Sequence, residues 1–131
     1  MTPKTELPQL TSTELEVMKV LWAGDGLSAR EIHEQLGDRL EWAYSTTRTT
    51  VERMVLKGLV GKNAFHGLHI YSASVSRASG LARMVRDFAT QVLETSHVPV
   101  VSLFADSGKL SDEEIEELRQ LLDGEEGGRR R

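Results

Sequence analysis

Hydrophobic residues recur in short helical registers along the first half of the chain, and the first two registers open on the same device. Leu15, Met18, Leu21 and Trp22 share one face behind Thr11 and Glu14, a T-x-x-E capping box, which predicts a helix to about Ala23. "GDG" at 24–26 ends it. Ser28 and Glu31 repeat the box and open a second helix carrying Ile32 and Leu36, with Gly37 placed to end it and "DRLEW" as a linker. A third helix, rich in Thr, follows from Ala43 and stops at Gly58. "LVGKNAFHGLHIYSA" then has strand-like composition on both sides of His66-Gly67, where glycine allows the positive φ of a tight hairpin. Three short helices and a hairpin predict a mainly α fold, a winged helix-turn-helix.

After Ser76 the pattern changes. Leu81, Met84, Val85, Phe88, Val92 and Leu93 keep helical spacing, which predicts a sustained amphipathic helix from about Arg77 to Ser96. Pro99 interrupts, and "VPVVSLFA" is a short apolar segment. Ser111 and Glu114 form a third capping box, opening a helix with Ile115, Leu118, Leu121 and Leu122 inside. "GEEGGRRR" reads as a disordered tail. The expected division is a winged-helix domain over 1–75, helical dimerisation over 76–124 and a tail over 125–131. Little chain remains to cover the stripe. Leu81, Met84, Val85, Phe88 and Val92, with Ile115 and Leu118, are therefore expected to pack against a second copy in a homodimer.

The third helix spends its opening positions on Thr46, Thr47, Thr49 and Thr50, although Thr is a mediocre helix former. At about 100° per residue, Thr47, Val51, Met54, Val55 and Gly58 gather on one side. Ser45, Thr46, Thr49, Arg53 and Lys57 lie opposite with Leu56, and Arg48 and Thr50 flank the edges. Short hydroxyls let a helix approach base edges closely, and a Thr offers both a hydroxyl and a methyl to a base. Arg53 suits guanine or phosphate, and Lys57 and the hairpin's Lys62 suit phosphate.

Charge supports an anionic partner for this stretch alone. The 131-residue chain carries a net charge of −4, yet Ala43 to Arg77 holds Arg48, Arg53, Lys57, Lys62 and Arg77 against Glu52. Hydrophobic residues make up 39% and charged residues 27%, which suits a globular protein. No apolar run approaches the roughly 18 residues of a membrane span, and "MTPKTELPQL" has no apolar signal core. Cysteine is absent, which excludes disulfides and thiolate metal sites and makes the cytoplasm the default location. His66 and His69 fall short of the three or four convergent ligands a metal needs. No nucleophile or phosphate motif accompanies the serines at 72, 74, 76 and 79, so neither enzyme nor cofactor is expected.

"LTSTELEVMKVLWAGDGLSAREIHEQL", "WAYSTTRTTVERMVLKGLV" and "IYSASVSR" together resemble the penicillinase-repressor family, from about Leu10 to Leu122. That family includes repressors of β-lactamase and methicillin-resistance genes and copper-responsive relatives. The resemblance implies a homodimeric transcriptional repressor that binds a palindromic double-stranded DNA operator. It assigns base reading to Thr46 and Thr49, with Ser45 and Arg53 as neighbours. Leu68 follows Gly67 where the family usually has Arg, and Tyr44 stands where a helix-opening Pro is common. A sensor protease cuts the β-lactamase regulators at an Asn-Phe bond; Leu103-Phe104 corresponds here. Two alternatives stay open at this point: a winged-helix protein-interaction module without DNA, and a small-molecule-responsive regulator.

Overall fold

Three helix starts carry reciprocal capping bonds. A computed structural model describes residues 7–24 and 26–129, with side chains to residue 124. In each box the cap hydroxyl accepts the N–H three residues on, and the glutamate carboxylate accepts the cap N–H. The boxes are Thr11 with Glu14, Ser28 with Glu31, and Ser111 with Glu114, with distances between 2.9 and 3.2 Å. Each satisfies backbone donors that a helix start otherwise leaves open. The elements run α1 (Ser12–Ala23), α2 (Ala29–Leu40), α3 (Tyr44–Leu56), β1 (Val60–Phe65), β2 (Leu68–Ala73), α4 (Arg77–Asp87), α5 (Val98–Ser107) and α6 (Asp112–Arg129).

Leu10–Ser76 forms one compact unit. Val17, Met18 and Leu21 of α1, Ile32 and Leu36 of α2, and Val51 and Met54 of α3 make its core with Leu59, Val60 and Tyr71. Trp22 and Trp42 pack at the core edge, and the Trp22 indole N–H donates to the Val75 carbonyl at 2.9 Å. β1 and β2 pair antiparallel from Val60↔Ala73 to Phe65↔Leu68. His66 and Gly67 both take positive φ, at 51° and 82°, as a two-residue turn matched to strand twist requires. Leu27 adds an antiparallel bridge to Tyr71.

α2 does not end at Gly37. It runs to Leu40 and closes at Glu41, in the left-handed region at φ 56°. Gly37 is buried inside the helix because the His33 ring, one turn earlier, lies where a side chain at 37 would be. A Cβ there would come within 2.4 Å of the ring.

The second unit is built on residues 77–129. Ala78, Ala82, Val85 and Ala89 form its buried face, packed with Ile115, Leu118 and Leu122 of α6 and Val100 and Val101 of α5. Leu7 joins this core, although it falls within the 1–75 expected for the winged-helix domain. Arg77 binds both carboxylate oxygens of Glu114, at 2.8 and 2.9 Å. The sustained helix to Ser96 is not formed. α4 ends at Asp87 and a π-turn follows over Phe88–Val92, closed by the Leu93 N–H on the Phe88 carbonyl. The Thr95 N–H reaches the Ala89 carbonyl at 2.8 Å, and Glu94 takes φ 55°, which ends the helix before Ser96. "VPVVSLFA" is helical, within α5, with Pro99 in its first turn where a missing N–H costs nothing. α6 continues to Arg129, through residues expected to be a tail, because extending a formed helix gains a bond per residue without a new nucleus. Residues 130 and 131 of that expectation lie outside the described residues.

Glu14 is almost wholly buried and takes the Lys57 ammonium as well as the Thr11 cap. Burial by itself would raise its pKa. The Lys57 ammonium and the Thr11 N–H and hydroxyl outweigh burial and hold it below the ordinary 4.5. A carboxyl whose pKa is lowered on folding stabilises fully above its unfolded value and loses that contribution as pH falls through the folded value. Glu14→Gln should therefore lower the melting temperature near neutral pH and flatten the fall in stability below about pH 4.5. Thermal melts across acid pH test this; an acid limb as steep as that of the parent chain would mean that the pair adds nothing.

Candidate nucleic-acid interface

α3 has two chemically different sides. Thr47, Val51 and Met54 are buried against α1 and α2. Ser45, Thr46, Arg48, Thr49 and Arg53 are exposed, Thr50 is half-buried, and Leu56 is 88% exposed. No side chain caps the helix, whose N-cap is Ala43. Ser45, Arg48, Thr49, Glu52, Arg53 and Leu56 line an open concavity of about 540 Å³. Of the residues read from the sequence as an outer face, Ser45, Thr49, Arg53 and Leu56 share this surface.

Two of the expected phosphate cations are engaged elsewhere. Lys57 is paired with buried Glu14, at the start of α1. Lys62 on β1 lies 2.9 Å from the Glu52 carboxylate, which also accepts the Tyr71 hydroxyl of β2. The Tyr71 hydrogen bond, followed by Lys62, holds the Glu52 pKa below the carboxylate range. Burial, helped by the Glu52 carboxylate, pushes Tyr71 up to about 12, so its hydroxyl remains a donor across physiological pH. The hairpin is thereby tied to the edge of α3. Arg53 is left without an ion pair among the described residues, and Arg48 stands near enough to Glu52 to favour its charge.

The expectation missed the groups that hold α3. Thr47 is fully buried, and its hydroxyl lies 2.8 Å from His33 Nδ1. In the sequence Glu52 stands only as a negative charge against five cations. Gly37, one turn after His33, reads in the sequence as a helix stop and so gives no signal for the ring that fills its space. Nothing in the sequence pairs Glu52 with Tyr71, 19 residues away.

The second unit divides the expected dimer residues. Val85, Ile115 and Leu118 are buried in the unit's own core, where they hold its helices together rather than facing a second copy. Leu81 and Met84 are half-buried, and Phe88 and Val92 are 47% and 63% exposed. Leu81, Met84, Phe88, Val100, Leu103 and Phe104 line an apolar groove of about 330 Å³. Leu103-Phe104 lies inside α5 with Leu103 exposed and Phe104 half-buried, so a protease must first unwind that helix. No three His, Asp or Glu residues converge as a metal site among the described residues, and no described helix is long and apolar enough to cross a membrane.

Comparison with known proteins gives this geometry a lineage. The penicillinase repressor family model matches residues 10–124. The chain is 26% identical over 118 residues to the penicillinase repressor of Bacillus licheniformis, covering 90% of this chain and 92% of that protein. It is 28% identical over 114 residues to the methicillin resistance regulatory protein MecI of Staphylococcus aureus strain N315, covering 87% and 93%. A solution structure of the DNA-binding domain of the repressor BlaI superposes with a TM-score of 0.50 at 26% identity, over 56% of this chain and 90% of that one. The three helices and hairpin are thus a winged helix, and the match continues through the helical second unit. The chain belongs to the penicillinase repressor family, a family of transcriptional repressors rather than enzymes.

Proposed function

We propose that this chain is a dimeric transcriptional repressor that inserts α3 into the major groove of a palindromic operator. The observation that carries this reading is the exposed row Ser45, Thr46, Thr49 and Arg53 on the side of α3 opposite its buried Thr47, Val51 and Met54. A recognition helix contacts bases through its N-terminal half, where this helix keeps its short hydroxyls. Leu56, exposed further along the same face, suits a thymine methyl. Arg53 and Arg48 are the cations for guanine or phosphate. Lys57 and Lys62 serve instead as ties within the domain, since each already faces a carboxylate.

Dimerisation follows from the apolar groove. Phe88, Leu103 and the half-buried Leu81, Met84 and Phe104 present contiguous hydrocarbon with almost no polar lining. A second copy burying this surface would hold two recognition helices on one duplex, and joining two half-site contacts raises affinity through effective concentration. The DNA-binding domain of the repressor BlaI supplies the precedent for a DNA-directed repressor.

Binding-site selection from a random duplex library should enrich a sequence with two-fold symmetry. Thr49→Ala should weaken binding to that duplex by about 1–3 kcal/mol and change binding to random DNA little. Arg53→Ala should lower the slope of log affinity against log salt by about one phosphate, whereas Lys57→Ala should leave the slope unchanged and lower the melting temperature. Equal losses on selected and random DNA for Thr49→Ala would remove α3 from base reading. Phe88→Asp should give monomers in sedimentation, because it sets a charge among surfaces whose burial contributes ~1.5–3 kcal/mol per large side chain; an intact dimer would place the interface elsewhere.

A further inference from the structure

We infer that His33, outside the DNA-facing surface, sets the rotation of α3 about its own axis through a hydrogen bond to buried Thr47, and so is a positioning residue for base reading. This rests on the reading of α3 as the recognition helix. His33 lies on α2, and its Nδ1 is 2.8 Å from Thr47 Oγ1. Thr47 occupies the inner face of α3 one residue from each neighbour of opposite exposure, Thr46 and Arg48. Its other inner-face companions, Val51 and Met54, make only apolar contacts, which hold a helix down without fixing its rotation. A hydrogen bond is directional and tolerates only a few tenths of an ångström. It adds, at the start of the helix, a directional constraint on where Thr46 and Thr49 point, beside the Glu52 and Lys57 ties at its middle and end.

Two further features meet the same ring, and a third reaches it through Tyr44. Gly37 leaves its side-chain space to His33, since a Cβ at 37 would lie 2.4–2.9 Å from three ring atoms. Tyr44, the first residue of α3, meets the His33 ring edge-on at 5.6 Å between centroids. The Arg30 guanidinium lies 4.0 Å over the Tyr44 ring, closing a stack of Arg30, Tyr44 and His33 across the joint between α2 and α3. α3 has no side-chain cap at this end. The stack and the Thr47 bond take the place of one as the fixed point of the helix's opening turn. A Gly inside a helix disfavours it relative to Ala, so the position is costly unless the ring needs the room.

The test uses the whole chain. The duplex most enriched by the parent chain from a random library is the specific probe, and a scrambled duplex of equal length is the reference. The readout is the ratio of the two affinities, which loss of fold alone would not alter selectively. Thr47→Val keeps the buried volume and removes the hydroxyl. Gly37→Ala keeps both hydrogen-bonding groups and drives the ring from its seat. Both should lower the ratio by about tenfold or more through the specific duplex, as for misplaced base contacts, with scrambled-duplex affinity held within about twofold. His33→Gln, which retains an amide able to meet Thr47, should keep the ratio within about threefold of the parent. Circular dichroism establishes that each variant is folded at the assay temperature; should Thr47→Val not fold, Gly37→Ala decides. Parent-like ratios for the folded variants overturn the role of His33 while leaving α3 as the reader. A parent chain that enriches no sequence overturns the DNA-reading assignment, and this one with it.

Discussion

The seating of α3 governs the first unit. The helix has to bury one side firmly enough to be rigid while leaving the other bare enough to meet a ligand. Val51 and Met54 supply the burial. Three polar ties from three different elements supply direction: His33 of α2 holds Thr47, Glu14 of α1 holds Lys57, and Tyr71 and Lys62 of the hairpin hold Glu52. They engage the helix near its start, its middle and its end. Apolar packing alone would permit α3 to roll or slide, whereas ties at three points along it do not. The exposed hydroxyls inherit their placement from these contacts on the far side.

The same ties redistribute charge. Two of the four cations read as DNA contacts on α3 and the hairpin are balanced by carboxylates. The Glu52 carboxylate on the edge of α3 is balanced by the Lys62 ammonium and accepts the Tyr71 hydroxyl. What remains to face an anion is concentrated in Arg48 and Arg53 and in the short hydroxyls beside them. A surface of this kind favours contact at chosen positions over general adhesion to polyanions. That suits a chain whose net charge is −4.

In the second unit the division is by size. Alanines at 78 and 82 allow α4 to pack closely with α6, since the distance between packed helices follows the side chains at the contact. The larger Leu81, Met84 and Phe88 are thereby displaced to the flank, where they form an apolar groove with α5. One helix thus presents two apolar faces. The small one closes the monomer, and the large one is left for a second surface.

Much of this was legible in the residues. The three capping boxes placed three helix starts, because a cap is a local bond between residues three apart. The period of Val51, Met54 and the threonines separated the inner from the outer face of α3, because a helix's geometry follows from its own backbone. Other features were decided only by tertiary structure. Gly37 reads as a stop, yet it sits inside α2, since the ring that fills its space was invisible without the fold. Lys57 and Lys62 read as free cations, because Glu14 and Glu52 reach them across 43 and 10 residues of chain whose path the sequence does not state. The stripe from Leu81 to Leu93 read as one face because hydrophobicity favours the largest side chains, whereas close helix packing selected the alanines between them. Local bonds and periods are written in the order of residues; which partner arrives from afar, and how closely it can approach, is settled only when the elements pack.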